Sequence, residues 1–478
     1  MNNPKRFLAM LSAAITTLSL LPVYHANALE EGETFTDNTI TYTVHDNMEV
    51  TVTSCVTGVT SVSIGEEMDG YRVVGIDEYA FANCTNLKEV TLPESIETIG
   101  EGAFYSCSSL TTVNLPETMT EIPAGLFYYC TALEEADIPD SVTKIGDYAF
   151  QYCISLTEAD LPDGVTEIGT GAFQYCMSLT EFEIPAKVTA LGDLCFVACA
   201  SMTTLTIPDG LNSLGSLPLV GCTALTDLQI GEANATYTLQ DGILFTKDLS
   251  TLVCYPAGKK DTEFTVPDSV KTIDYYAFSG CTNLKRITLP DTVTALNEGA
   301  FSGCTGLSEV NIPSAVTTIA TSLFADCSSL TSFTIPPQIT TVDNYAFYCC
   351  DSLKQIHVPD TVTKIGEFAF GYTESTAADG SSASAPLPGF VMTGHSEKAA
   401  GEYADANGIT FEATNFNYKL LITIIVAVLA VAIILVVAVR IMTSKKNQPV
   451  TEETDSEEAE DEFPSDYQSI LGNEDDQT

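Results

Sequence analysis

Cysteine and carboxylate are the residues this sequence has in numbers large enough to do chemistry: 15 cysteines and 64 Asp and Glu among 478 residues, against 4 histidines. Eleven of the cysteines stand on one lattice, Cys84, Cys107, Cys130, Cys153, Cys176, Cys199 and Cys222, then Cys281, Cys304, Cys327 and Cys350, each 23 residues after the last within its group. In a secreted chain such a count suggests a disulfide framework, and the vicinal Cys349-Cys350 pair suggests a metal site. The spacing argues against both. Equivalent residues of an in-register stack lie about 4.8 Å apart and point the same way, whereas a disulfide needs Cβ atoms converging to about 3.8 Å. No C-x-x-C pair offers tetrahedral zinc its ligands. The lattice cysteines are therefore expected to be buried free thiols, small apolar spacers with a weak S–H donor to a loop carbonyl. Neither a metal nor a cofactor is expected.

Catalysis needs convergent groups, and beyond the N-terminal segment the chain has only His45, His357 and His395, on different predicted elements. It carries no nucleophile elbow, phosphate loop, metal-ligand helix or dinucleotide fingerprint. Carboxylates are abundant enough for a glycosidase-like pair, but an open sheet offers no deep pocket. A carboxylate-based hydrolase is a remote alternative, and the expectation is a non-enzyme.

The elements that must position these groups follow from the period. One unit, residues 153–175, reads CISLTEADLPDGVTEIGTGAFQY, with a strand pattern at Leu156, Ala159 and Leu161 and an apolar pair at Val165 and Ile168. A proline recurs at Pro93, Pro116, Pro139, Pro162, Pro185 and Pro208, and again from Pro267 to Pro359. Lacking an amide hydrogen, it marks where a strand stops. Next comes Gly100, Gly146, Gly169, Gly192, Gly215 or Gly366, replaced by Asp274, Asn297 or Asp343 in other units. These residue types tolerate positive φ, so a left-handed turn is predicted there, with Pro123 and Ala320 as exceptions. Ala-Phe follows, as at Ala149-Phe150, and its phenylalanines should stack as a spine under a short helical or 3₁₀ turn. A fixed period of this length means a solenoid.

The unit L-x-x-Φ-x-Φ-P-x-x-Φ-x-x-I-G-x-x-A-F-x-x-C, running over roughly residues 40–411, resembles the BspA-like class of bacterial surface leucine-rich repeats. The resemblance implies an α/β repeat fold, a right-handed leucine-rich-repeat solenoid with a parallel β-sheet on one face, and a cell-surface role in adhesion or recognition. The spacing stretches to 59 residues between Cys222 and Cys281, where two strand patterns flank Asp241-Gly242. The predicted organisation is an N-terminal cap with a degenerate first repeat (29–75), repeats (76–222), a hairpin-bearing wide repeat (223–266), further repeats (267–372), a Ser/Ala/Pro-rich flexible insert (373–388) and a C-terminal cap (389–411). The cap's helix is expected to be N-capped by Ser396 and to end at Asn407-Gly408.

The two ends of the chain carry different signals. Residues 1–28 combine Lys5 and Arg6, an apolar run to Leu21 and Ala26-Asn27-Ala28, the pattern of a cleaved signal peptide. After a juxtamembrane segment (412–419), residues 420–439 contain no charge and at about 1.5 Å per residue span about 30 Å, a transmembrane helix. Arg440, Lys445 and Lys446 follow it and only Lys419 precedes it, which puts the repeats outside and the acidic tail (440–478) in the cytoplasm of a single-pass bacterial membrane protein.

Between Leu29 and Lys419 lie 52 acidic and 14 basic side chains, a net charge near −38. Nucleic acid is excluded as a partner by such a field, and a basic protein segment or cation is favoured. The residues flanking each buried Φ-x-Φ pair face outward, among them Glu89, Thr112, Asn114, Asp227 and Glu309. On three consecutive turns they are Glu135 and Asp137, Glu158 and Asp160, and Glu181 and Glu183, six carboxylates with neighbours about 5 Å apart. They suit first a solvated acidic face, and as the sharper reading a site for divalent ions or for a basic segment of an extracellular protein or glycan partner. Adhesion through this sheet is the leading expectation. The alternative is an envelope-internal receptor or scaffold that signals through the acidic tail.

Overall fold

The computed structural model describes residues 29–37, 39–376, 381–414 and 418–445, so the expected signal peptide and most of the acidic tail lie outside the described residues. Each repeat makes one rung of a coil, and each rung meets the next along three lines. The first is a parallel ladder before the proline, as where Glu181–Glu183 pairs with Thr204–Ile207 and that with Asp227–Ile230. The proline ends it and starts a turn, its carbonyl accepting from the residue three on, as in Val142 N to Pro139 O at 3.0 Å. The second ladder follows, Glu121–Ile122 beside Lys144–Ile145 beside Glu167–Ile168, with partners 23 residues apart in register.

The third line corrects two expectations. Beneath each phenylalanine the chain forms neither a helix nor a 3₁₀ turn but a string of turns with left-handed residues four apart, such as Tyr148 (φ 57°) and Tyr152 (φ 63°). Their N–H groups and that of the intervening Phe150 donate to Thr170, Gln174 and Ala172 of the next rung, at 2.8 to 2.9 Å. Helical backbone would instead turn these donors along its own axis.

The left-handed positions are also not where the Ile-Gly pattern placed them. Gly100, Gly146, Gly169, Gly192 and Gly366 keep ordinary φ, and of that column's glycines Gly215 alone is left-handed. They are glycine because rungs touch there: a Cβ on Gly146 would lie 2.6 Å from the Ala124 nitrogen and 2.8 Å from the Pro123 carbonyl carbon.

Inside the coil run two columns. Phe81, Phe104, Phe127, Phe150, Phe173 and Phe196 stack with ring centroids 5.2 to 5.9 Å apart, and Tyr255, Phe278, Phe301, Phe324, Phe347 and Phe370 continue at 5.1 to 5.5 Å. Beside them the lattice thiols donate to carbonyls 26 residues earlier, Cys107 to Phe81 at 3.0 Å and Cys153 to Phe127 at 3.2 Å. Burial pushes the Cys107 thiol up to about 12, and Cys130 and Cys176 well above the ordinary range. Iodoacetamide at neutral pH should accordingly leave the lattice thiols of the native chain unmodified and alkylate all 15 once urea unfolds it without reductant. Mass spectrometry counts the adducts, and a ladder of bridged pairs would show as missing ones.

The coil begins with antiparallel strands Ile40–His45 and Glu49–Cys55, the latter joined in parallel to Tyr71–Ile76. At its other end Tyr372–Thr376 and Ser382–Pro386 pair antiparallel, so paired strands stand where the sequence suggested a flexible insert. Val391–Gly394 lies parallel between Gln355–His357 and Thr410–Ala413. The helix Ala399–Asn407 ends at left-handed Gly408 as expected, but its N-cap is Lys398, with no side-chain cap, rather than Ser396. The helix Tyr418–Lys445 belongs to a unit separate from the coil, and its segment Thr423–Arg440 has a mean hydropathy of 2.9, long and apolar enough to cross a membrane.

Candidate functional site

The six predicted carboxylates are all exposed, on three successive rungs of the first ladder. Glu135, Asp137, Glu158 and Asp160 line one shallow depression of about 300 Å³ together with Asp140. Glu181 and Glu183 lie on the next rung, outside that depression, in the strand Glu181–Glu183. Among the described residues none of the six has a salt-bridge partner. Among the described residues no three His, Cys, Asp or Glu side chains converge closely enough to hold a metal ion. His45 and His357 are occupied with threonines, His45 Nε2 lying 2.9 Å from Thr51 Oγ1 and His357 Nδ1 3.1 Å from Thr393 Oγ1.

The first ladder opens at this stripe. It pairs Glu89–Thr91 with Thr112–Val113 and resumes at Glu181–Glu183. Between them residues 134–138 and 157–161 are not strands, and the rungs are linked by bonds such as Thr157 N to Glu134 O at 3.1 Å. Three features of the side chains explain the opening. Stacked like charges repel at this spacing. Ala136 and Ala159 stand inside where neighbouring rungs have Val113 and Phe182, so fewer apolar contacts draw the rungs together.

The third feature was missed in the sequence, where Asn114 was read only as outward-facing. Its side chain completes the ladder: Oδ1 accepts from Leu92 N and Nδ2 donates to Leu92 O, both at 2.9 Å. Asn311 does the same for Leu289 at 2.8 and 2.7 Å. Asp137 and Asp160 occupy the same lattice position 23 and 46 residues after Asn114, and an ionised carboxylate has no donor to offer. The Leu115 and Ile138 carbonyls then lack the side-chain donor that Leu92 O receives, and among the described residues the Leu115, Ile138 and Leu161 amides have no acceptor either. The clue in the sequence was the repeat of Asn against Asp in one column. Asp137→Asn and Asp160→Asn should each close one rung and raise unfolding stability by about 1 kcal/mol, read from the urea midpoint at unchanged slope.

The matching column in the second half of the coil is electrostatically different. There Arg286 stands between Glu263 and Glu309, 3.9 and 2.8 Å away. The column Glu135, Glu158 and Glu181 has no such arginine.

Comparison with known proteins agrees with this architecture. The model of the BspA type leucine rich repeat region matches in 6 copies over residues 60–177, 120–250 and 254–377. A leucine rich cell surface protein from Faecalibacterium prausnitzii is 24% identical, with 82% of this chain and 98% of that one covered and a TM-score of 0.56. The pneumococcal vaccine antigen PcpA is 18% identical, covering 81% and 100%, with a TM-score of 0.53. Both likenesses are of fold. A search of curated proteins finds no match. With its repeat model covering most of the coil, and the proline, glycine, phenylalanine and cysteine columns each given a structural reason, the chain belongs to the BspA-type leucine-rich repeat family.

Proposed function

We propose that this chain is a membrane-anchored bacterial surface protein that captures a basic segment of an extracellular partner on the open, acidic rungs of its first ladder. The observation that carries the reading is the contrast between two equivalent columns: Arg286 neutralises Glu263 and Glu309, while Glu135, Glu158 and Glu181 are left to repel one another. A basic side chain from outside would repeat what Arg286 does within, and the unpaired Leu115, Ile138 and Leu161 amides would meet its backbone carbonyls. Binding rather than catalysis is supported by the separation of the histidines and the shallowness of the acidic depression. Surface location draws support from the family and from the name of the Faecalibacterium relative. The apolar segment Thr423–Arg440 suits the anchor, and Arg440, Lys445 and Lys446 against Lys419 suit an outward-facing coil.

The test uses the full-length chain in lipid nanodiscs and a fluorescent heptapeptide of alternating lysine and glycine. Changing Glu135, Glu158, Glu181 and Glu183 to Gln and Asp137 and Asp160 to Asn should weaken capture by about tenfold or more, and raising salt from about 50 to 200 mM should weaken the unaltered chain similarly. A more stable variant that holds the peptide as well as before would reduce the stripe to a solvated face.

A further inference from the structure

The third line of inter-rung bonds is interrupted at one place. From Tyr79 onward three amides of each rung donate to the next, and the rule holds through Leu194, Phe196 and Ala198, which donate to Ser216, Pro218 and Val220 at 2.8, 3.1 and 2.7 Å. In the following rung the amides of Leu217, Leu219 and Gly221 donate to no group of the described residues. The series resumes with Tyr255 N to Ala277 O at 2.8 Å and then Tyr276, Phe278 and Gly280.

The cause is the wide repeat. At one end it is drawn back against its own start, where Gly258 N donates to Leu225 O at 2.8 Å and a Cβ on Gly258 would lie 2.5 Å from Ala224 O. At the other end the strand Thr251–Cys254 is held in its own sheet with Ile243–Thr246 and Thr272–Ile273. The two rungs therefore part like a wedge. The aromatic column breaks in the same place: Leu219 takes the lattice position of a phenylalanine and is only half-buried, whereas Phe196 and Phe278 on either side are fully buried. The buried core accordingly falls into two clusters that meet around the hairpin.

The wedge opens a cavity of about 500 Å³ whose apolar lining includes Leu217, Leu219 and Val253. Its charged lining is acidic: Asp274 and Glu298 both line it, and among the described residues no lysine or arginine does.

We propose that this wedge is a second binding site, which takes a segment of a partner polypeptide with one large apolar side chain in the cavity and a basic residue beside Asp274 and Glu298. Each feature selects a part of that ligand. Amides unpaired at alternate residues are satisfied by backbone carbonyl oxygens, as the next rung satisfies them elsewhere. The missing phenylalanine leaves room for a side chain of that class, and burying one supplies the main attraction. Two carboxylates without a cation favour a positive neighbour and oppose an acidic one. The site is independent of the acidic stripe, being formed by the third line of contacts and not the first.

The experiment uses the full-length chain in nanodiscs with its six stripe carboxylates neutralised as above, so that lysines cannot report on the stripe. The probe is a fluorescein-labelled Lys-Ala-Phe-Ala-Lys amide, compared with the same peptide carrying Ser for Phe, with one carrying Glu for both Lys, and with phenethylamine, which has the ring and the charge but no carbonyl. Saturation with the first peptide should slow hydrogen exchange over residues 214–222, and the other three ligands should bind at least about fivefold more weakly.

Ser279 lines the cavity and the chain contains no tryptophan, so Ser279→Trp both fills the wedge and reports on itself. With blue-shifted emission it should weaken the peptide about tenfold. Asp274→Asn with Glu298→Gln should weaken it about fivefold while not weakening the peptide that carries Glu for both Lys. Equal binding of phenethylamine, or undiminished peptide binding with a blue-shifted Ser279→Trp, overturns the proposal. If the indole emits as though in water, exchange over 214–222 decides alone, and exchange unaltered at saturation overturns it.

Discussion

Truncation of Phe150 to alanine should lower the unfolding free energy by about 3–5 kcal/mol, the range for emptying a phenylalanine site that cannot collapse. Phe150 is fully buried, with the Phe127 ring 5.4 Å away on one side and Phe173 5.3 Å on the other. Neither neighbour is free to move in. Their backbones are fixed by bonds from Phe127 to Ala149 and from Phe173 to Cys195, and Phe150 O also accepts the Cys176 thiol at 3.2 Å. Because each rung touches only its neighbours, the loss concentrates at two interfaces and should split the urea transition as well as lower its midpoint. Leu219→Ala, in the same column but beside the wedge, removes less buried surface and should cost about 1–2 kcal/mol. Equal losses at both positions would mean that the aromatic column contributes nothing beyond filling space.

The second large effect concerns glycine, and it separates two reasons for needing one. Gly146→Val should cost about 2–3 kcal/mol, since the new side chain meets backbone of the preceding rung, which cannot rotate aside. Gly125 is left-handed at φ 58°, but its nearest neighbour to an added Cβ is 3.8 Å away. Gly125→Asn should therefore cost less than about 1 kcal/mol, because the equivalent Tyr148 already holds φ 57° with a full side chain. Circular dichroism melts of the two variants give the comparison. The reverse order would mean that close approach of the preceding rung is not what requires glycine in the Ile-Gly column.

Both predictions rest on the 23-residue lattice, which the sequence alone determined. Such a period is legible because a rung cannot hide its apolar face alone, so every rung must repeat the same inward residues at the same offsets. Phe150 and Cys153 were placed inside on that ground, and the likeness of Asp137 and Asp160 to neighbouring outward positions was visible too. The sequence also marked the wide repeat by its broken spacing and the helix end by Asn407-Gly408.

What contacts between rungs add was not legible, because a periodic string gives the type of residue at a position but not the distance to the rung beside it. Gly146 reads the same whether its backbone is left-handed or merely close to Ala124. Asn114 and Asp137 read alike as polar and outward until the first is seen to bond the Leu92 amide and carbonyl together. The wedge at Leu217 and Leu219 depends on where Gly258 pins the wide repeat to Leu225, a contact between residues 33 apart in the chain. Local pattern thus settled which faces turn inward, and the packing of one rung on the next decided where the stack closes and where it stays open.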